Sequence, residues 1–257
     1  MIFLICLVAL AASALTFFSG FGLGTLLLPA FALFYPIDVA VASTAVVHFL
    51  NGLFKLALVG NHADHKAVIR FGVPAVIAAL VGAALLVKLS SIAPIATYTF
   101  IGGREAVIQP AKLVVGALLI VITALELSPR FASMAVSPQY VPLGGALSGF
   151  FGGISGMQGA LRSAFLIRLG LSKEAFIGTG VAVAVLIDIS RLGIYSRSLV
   201  TQRAYLDYAL LGAAVFSAFV GAYLGNRLLK KLTLRAIQQF VGAMLAIVGA
   251  GLIAGVL

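Results

Sequence analysis

Long apolar stretches separated by short polar segments make up most of the 257-residue chain. A helix needs about 20 predominantly apolar residues to cross the hydrocarbon core of a bilayer. Eight stretches approach or exceed that length: Ile2–Phe34, Val39–Leu58, Val68–Leu89, Ala111–Leu127, Tyr140–Leu169, Ala175–Tyr195, Tyr205–Leu224 and Leu234–Leu257. The pattern therefore predicts an all-α, polytopic membrane protein with about eight transmembrane helices.

The first and fifth stretches are too long for one straight crossing, since a helix rises about 1.5 Å per residue. Each contains a glycine cluster, Ser19-Gly20-Phe21-Gly22-Leu23-Gly24 in the first and Ser148-Gly149-Phe150-Phe151-Gly152-Gly153 in the fifth. We therefore expect both helices to be broken.

Between the third and fourth stretches, a different pattern predicts a β-hairpin outside the membrane. The β-prone runs Thr97–Phe100 and Ala106–Ile108 flank the pair Gly102-Gly103. A glycine pair between two such runs is typical of a hairpin turn.

The two glycine clusters begin two similar halves of the chain. Each cluster is followed by an apolar stretch, a turn that contains an acid, and a helix with an early threonine, Thr44 or Thr179. We predict a first transmembrane repeat at 1–127, a linker at 128–139 and a second repeat at 140–257, with the first helix broken in each half.

Composition excludes the soluble classes. The chain is 62% hydrophobic and only 9% charged, against about 25% charged in ordinary soluble domains. The formal net charge of +10 is spread over short loops, which favours contact with anionic lipid over binding of nucleic acid. The lipid bilayer is therefore an expected partner, and nucleic acid is not.

Paired broken helices indicate a transporter site, because backbone groups that are freed inside a membrane must be buried or line a cavity. A half-helix N-terminus presents N–H donors and about half a positive charge, which suits an anion. The candidate glycines for substrate binding are Gly20, Gly22, Gly24, Gly152, Gly153 and Gly156. The alternative for each is close helix packing.

Polar residues inside the second stretch form one stripe, within about 60° on a helix of 3.6 residues per turn. The stripe consists of Thr44, His48, Asn51 and Lys55. His48 is a candidate proton carrier, and Thr44 and Asn51 are candidate substrate ligands. Interhelical hydrogen bonds are the alternative for His48 and Asn51. We expect Lys55 to snorkel to the interface, since it lies near the helix end.

Three further residues complete the candidate set in the second half, together with Thr179 as a substrate ligand. Arg162 follows the glycine cluster and can bind an oxyanion through its forked guanidinium. Asp188 and Arg191 are three residues apart, which places them on one helix face. We expect these two to form a structural ion pair rather than to contact substrate.

The chain resembles the sulfite exporter TauE/SafE family over nearly its whole length. The resemblance rests on the first glycine cluster with Pro29, on Ala42-Ser43-Thr44, and on a second-half series of glycine and turn motifs. That series comprises Leu147–Gly153, Gly156, Leu169-Gly170-Leu171-Ser172-Lys173-Glu174-Ala175 and Gly178-Thr179. Many relatives have a proline after the second glycine cluster where this chain has Gln158–Arg162, so we expect the second half of the site, and with it the substrate, to differ from theirs.

The resemblance implies a permease of the bacterial inner membrane that moves sulfite, an organosulfonate or another small sulfur-containing anion, without a cofactor. Together with the candidate site, it predicts a secondary transporter that has no catalytic residues and no metal ligands. The alternatives are an anion channel, a cation-coupled uptake permease, an intramembrane enzyme built on His48 or Asp188, and a non-transporting membrane subunit. Assembly into a homo-oligomer is left open.

Overall fold

The computed structural model describes residues 1–19, 23–100, 103, 105–128, 136–201, 207–228 and 235–257. Five α-helices precede residue 128: α1 (Ile2–Ser19), α2 (Leu23–Ala32), α3 (Ile37–Val59), α4 (His65–Ser90) and α5 (Pro110–Leu127). Five follow residue 139: α6 (Val141–Ser155), α7 (Gly159–Leu166), α8 (Lys173–Thr201), α9 (Tyr208–Leu228) and α10 (Arg235–Ile253). Short 3-10 turns occupy Gly60–His62, Pro138–Tyr140 and Ile167–Leu169.

Four helical segments in the described part of the chain are long and apolar enough to cross a membrane. They are Ile37–His62, His65–Ser90, Lys173–Ser196 and Tyr208–Arg227. Four further apolar helices are shorter: Ile2–Leu15, Leu23–Ala32, Pro110–Leu125 and Gly242–Ile253. The fold is thus that of a multi-pass, helical membrane protein.

The predicted break in the fifth stretch is confirmed, but it lies beyond the glycine cluster. Helix α6 continues to Ser155, and the chain then turns at Gly156, whose φ of 78° is in the left-handed region that favours glycine. Helix α7 starts at Gly159. In the first stretch, α1 ends at Ser19 and α2 begins at Leu23, while residues 20–22, with Gly20 and Gly22, lie outside the described residues.

The second glycine cluster is used for helix packing instead. A Cβ on Gly149 would overlap the carbonyl oxygen of Ala75, and one on Gly153 would overlap that of Ala79. The two contacts follow in the same order along both helices, so α6 and α4 run parallel and in close contact. Small residues that let backbones approach are the usual device for packing helices in a membrane.

The most extensive helix contacts cross between the two halves of the chain. Helix α1 packs along α9, α4 along α6 and α8, α3 along α8, and α5 along α10. The short helix α2 contacts α1 and α3, and the short helix α7 contacts α6 and α8.

The predicted hairpin is present as two antiparallel strands, β1 (Ala96–Thr99) and β2 (Glu105–Ile108). Each strand also forms a hydrogen bond with a residue near the C-terminal end of the chain. The Tyr98 hydroxyl donates a hydrogen bond to the Ala254 carbonyl at 2.6 Å, and the Val107 N–H donates to the Gly255 carbonyl at 2.8 Å.

Candidate functional site

A cavity of about 60 Å³ lies at the interruption between α6 and α7. Its walls come from α2 and α3 of the first half and from α7 and α8 of the second. A single buried water needs roughly 10–15 Å³ on this measure. The cavity therefore has room for a small polyatomic ion.

The ionisable side chains on the cavity wall are basic. Helix α3 contributes His48 and Lys55, and α7 contributes Arg162. None of the described residues that line the cavity is Asp or Glu. The wall thus suits an anion.

Helix α7 adds a dipole of the same sign. It begins at Gly159, which lines the cavity, and Arg162 lies one turn further along. The first N–H groups of a helix have no intrahelical partner, and they carry partial positive charge. The start of α7 and the Arg162 guanidinium therefore favour the same kind of ligand.

Two glycines bring the interruption and the start of α2 together. A Cβ on Gly24 would lie 2.8 Å from the carbonyl oxygen of Gly156 and 3.6 Å from Cδ2 of His48. Both glycines line the cavity. Of the six candidate glycines, these two are placed at the cavity wall.

Behind the wall, Asp188 of α8 is fully buried and binds three side chains. His48 Nδ1 lies 2.5 Å from Asp188 Oδ2. On the other carboxylate oxygen, Oδ1, Arg191 places Nε at 2.9 Å and Nη2 at 2.8 Å. Gln158 Nε2 also donates to Oδ1, at 3.3 Å. The structure thus pairs Asp188 with Arg191, as their spacing predicts, and adds His48 to the pair.

Gln158 connects this buried group to the cavity. Its Oε1 accepts a hydrogen bond from Arg162 Nη1 at 3.4 Å, while its Nε2 donates to Asp188. Sequence analysis did not single out Gln158. The available signal was its position: Gln158 is a polar residue close after the predicted helix break, and such a residue can line a cavity at that break.

Asn51 and Lys55 both reach the cavity from α3. Asn51 lines it, and its Oδ1 accepts a hydrogen bond from the Ser13 hydroxyl of α1 at 3.1 Å. Lys55 is only 8% exposed and also lines the cavity. The expectation that Lys55 snorkels to the interface is therefore wrong, because neighbouring helices enclose the end of α3 that carries it.

The two threonine candidates lie away from the cavity wall. Thr179 Oγ1 accepts a hydrogen bond from the backbone N–H of Asp64 at 2.9 Å and so holds the α3–α4 connection against α8. Thr44 is fully buried, and its hydroxyl has no hydrogen-bond partner among the described residues.

Gly152 and Gly153 are likewise placed in packing contacts. A Cβ on Gly152 would lie 2.9 Å from Cβ of Gln158 and 3.2 Å from a methyl group of Ile187, and Gly153 faces α4. These two glycines support the wall without being among the residues that line the cavity.

The comparisons with known proteins agree with this architecture. Residues 5–252 match the sulfite exporter TauE/SafE family. No curated protein and no solved structure matches the chain. Since the match covers nearly all of the 257 residues and the helices are those of a multi-pass membrane protein, the chain belongs to the sulfite exporter TauE/SafE family, which suggests a membrane transporter of sulfur-containing anions.

Proposed function

We propose that the protein is a secondary transporter that moves a small anion, sulfite or a small organosulfonate, through the cavity between α2, α3, α7 and α8. The observation that carries the proposal is the charge of the cavity wall. Arg162, Lys55 and His48 are its ionisable residues, and no described acidic residue lines it.

Arg162 is the proposed primary ligand. Its guanidinium presents planar N–H donors that match the geometry of an oxyanion, and charge-assisted bonds of this kind are about twice as strong as neutral ones. Lys55 contributes a second basic side chain, and Asn51 is a neutral polar ligand on the same wall. The start of α7 adds its N–H groups.

The size of the cavity favours the smaller substrates of this class. A volume of about 60 Å³ accommodates an ion of a few heavy atoms but not an aromatic ring with a sulfonate attached. We therefore place sulfite, or a sulfonate with a very short carbon chain, ahead of aryl sulfonates.

We further propose that the two halves are structural repeats and that the site lies between them. The helix pairs support this, because exchanging the halves turns the α1–α9 pair into the α6–α4 pair and leaves α3–α8 and α5–α10 as they are. Transporters built from such repeats bind substrate at the repeat interface and work by moving one half against the other. The bacterial inner membrane is the proposed location.

The test is anion flux into proteoliposomes that contain the purified protein. We expect saturable sulfite flux, competition by methanesulfonate, and little flux of acetate. Arg162→Gln removes the proposed primary ligand and should raise the half-saturating sulfite concentration at least 10-fold, which corresponds to about 1.4 kcal/mol of lost binding.

The matched control is Arg70→Gln, which makes the same change at an exposed position of α4. It should leave sulfite flux unchanged. Absence of saturable anion flux in the unmodified protein would contradict the proposal, and so would equal saturation behaviour in the Arg162→Gln and Arg70→Gln proteins. Flux that rises linearly with concentration would indicate a channel.

A further inference from the structure

We propose that His48 is a proton-binding site and that a proton crosses the membrane together with each anion. This inference rests on the proposed anion transport, and it assigns the ion that is coupled to it. The chemistry required is a base that faces the substrate cavity and is held in one orientation from behind.

The contacts of His48 define which ring nitrogen exchanges the proton. Nδ1 lies 2.5 Å from Asp188 Oδ2, and the other carboxylate oxygen is held by Arg191 at 2.8–2.9 Å. A carboxylate that is paired with a guanidinium accepts hydrogen bonds, so Nδ1 carries a hydrogen and donates it. The lone pair of the neutral ring is then on Nε2.

Burial determines where the proton enters. The His48 side chain is 15% exposed and lines the cavity, whereas the Asp188 side chain is 0% exposed. A proton that arrives through cavity water therefore reaches Nε2 first. When Nε2 takes the proton, the ring becomes an imidazolium that remains hydrogen-bonded to Asp188 through Nδ1.

The charged groups around His48 determine how the proton and the anion influence each other. Lys55 on its own helix and Arg162 on α7 face the same cavity, and Asp188 and Arg191 of α8 lie behind the ring. Helices α1 and α2 carry no charged residue, and α9 carries only Arg227, which is exposed at its far end. The ionisable residues of α4 and α5 lie near the ends of those helices.

These charges make proton binding and anion binding cooperative. Lys55, Arg162 and His48 line the same cavity, where an anion would be attracted by each of them. A bound anion favours a proton on His48, and a protonated His48 in turn strengthens anion binding by the same factor. Two ligands that favour each other load together, so the proton and the anion move in the same direction.

The experiment measures proton and sulfite movement together in proteoliposomes. A pH dye is enclosed in the vesicles, and the membrane voltage is clamped with potassium and valinomycin. Sulfite itself carries protons, so the decisive quantity is the difference in the ratio of protons to sulfite between the unmodified protein and His48→Gln. We expect that difference to be one proton per sulfite, with slower sulfite flux remaining in the variant.

The chain offers a matched control, since it has three histidines and the other two, His62 and His65, are exposed. The double variant His62→Gln/His65→Gln keeps His48 as its single histidine. It should show the proton ratio and pH dependence of the unmodified protein.

Asp188→Asn provides an independent readout, because it keeps an acceptor for Nδ1 and removes the negative charge behind the ring. The pH profile of flux should move toward lower pH by about 1–3 pH units. A purely structural role of Asp188 would lower flux without moving the profile.

The outcomes separate this inference from the proposed function. Absence of saturable sulfite flux in the unmodified protein overturns the proposed function itself. Saturable flux with the same proton ratio in the unmodified and His48→Gln proteins overturns the inference alone. If His48→Gln does not insert into vesicles, the pH profile of Asp188→Asn decides, and an unchanged profile again overturns the inference.

Discussion

Gly156 occupies the position where the helix break, the cavity and the buried ion pair meet. Its left-handed backbone ends α6, its carbonyl oxygen packs against Gly24, and its Cα lies beside the Arg191 guanidinium. A side chain here would strain the backbone, and it would also meet Arg191. The residue therefore serves the turn and the charge network at once.

Gly156→Ala tests this double role against Gly170→Ala. Both glycines have positive φ, 78° and 66°, so each substitution costs about 1–2 kcal/mol in backbone strain. A Cβ on Gly170 meets nothing within 4 Å, whereas one on Gly156 lies 2.8 Å from Arg191 Nη1. Moving Arg191 from Asp188 should cost about 1.5–3 kcal/mol more, the range for hydrogen bonds to charged groups.

The measurement is the free energy of unfolding of each variant in detergent, together with its sulfite flux. Only Gly156→Ala is expected to lose flux at least 10-fold. If both variants are destabilised equally and both retain flux, the pairing of Arg191 with Asp188 does not depend on the absence of a side chain at position 156.

Sequence analysis identified a pair of residues on one helix, Asp188 and Arg191, but it did not identify partners that lie on different helices. The stripe of α3 pointed to His48 and Asn51, since helix periodicity places residues on one face. Periodicity holds within one helix only, so it could not join His48 to Asp188, which is 140 residues away. Lys55 was misinterpreted for a related reason: sequence position shows that it is near a helix end but not which helices enclose that end.

At the scale of elements, α6 and α4 illustrate how glycine replaces side-chain packing. Their parallel contact places backbone against backbone along Gly149 and Gly153. Water is absent from a bilayer core, so helices gain little from burying apolar side chains against each other, and close van der Waals contact supplies the attraction.

Gly149→Ala should therefore destabilise the protein by about 1–3 kcal/mol, the usual cost of overpacking. Its control is Gly193→Ala in α8, where a Cβ meets nothing within 4 Å. That control should be neutral or stabilising by up to about 1 kcal/mol, since alanine favours helix. Unfolding of the two variants in detergent measures the difference. Equal stabilities would show that α4 and α6 can move apart at Gly149 at little cost in free energy.

The elements themselves were largely predictable, and the position of the break was not. Length and apolar composition indicated the helices, and a glycine pair indicated the hairpin. A glycine cluster, however, serves equally well for a turn or for close packing. Only the neighbouring helix α4 decides that Gly149 and Gly153 pack while Gly156 turns.

At the scale of the whole molecule, the helices of each half find their main packing partners in the other half. The pairs α1–α9, α4–α6, α3–α8 and α5–α10 all cross between the halves, and the cavity has two walls from each. Neither half encloses the site alone. The linker predicted at 128–139 therefore joins two halves that are held together by packing.

This arrangement predicts that the chain can be divided in the linker without losing the fold. Residues 1–132 and 133–257, expressed together, should co-purify and transport sulfite, because the contacts between them do not depend on the covalent link. A division inside α4, between Ala79 and Leu80, is the control and should prevent assembly. Failure of the two halves to co-purify, or a stable single half in detergent, would contradict the cross-packed arrangement.

The hairpin has a consequence for the order in which the protein is made. Strands β1 and β2 are synthesised with the first half, yet their bonds to Ala254 and Gly255 need residues that leave the ribosome about 150 positions later. The hairpin can therefore form these bonds only after insertion of the second half has brought Ala254 and Gly255 to it. These hydrogen bonds form at the end of biogenesis. Protection of the Val107 amide from hydrogen exchange would therefore report a completely assembled chain.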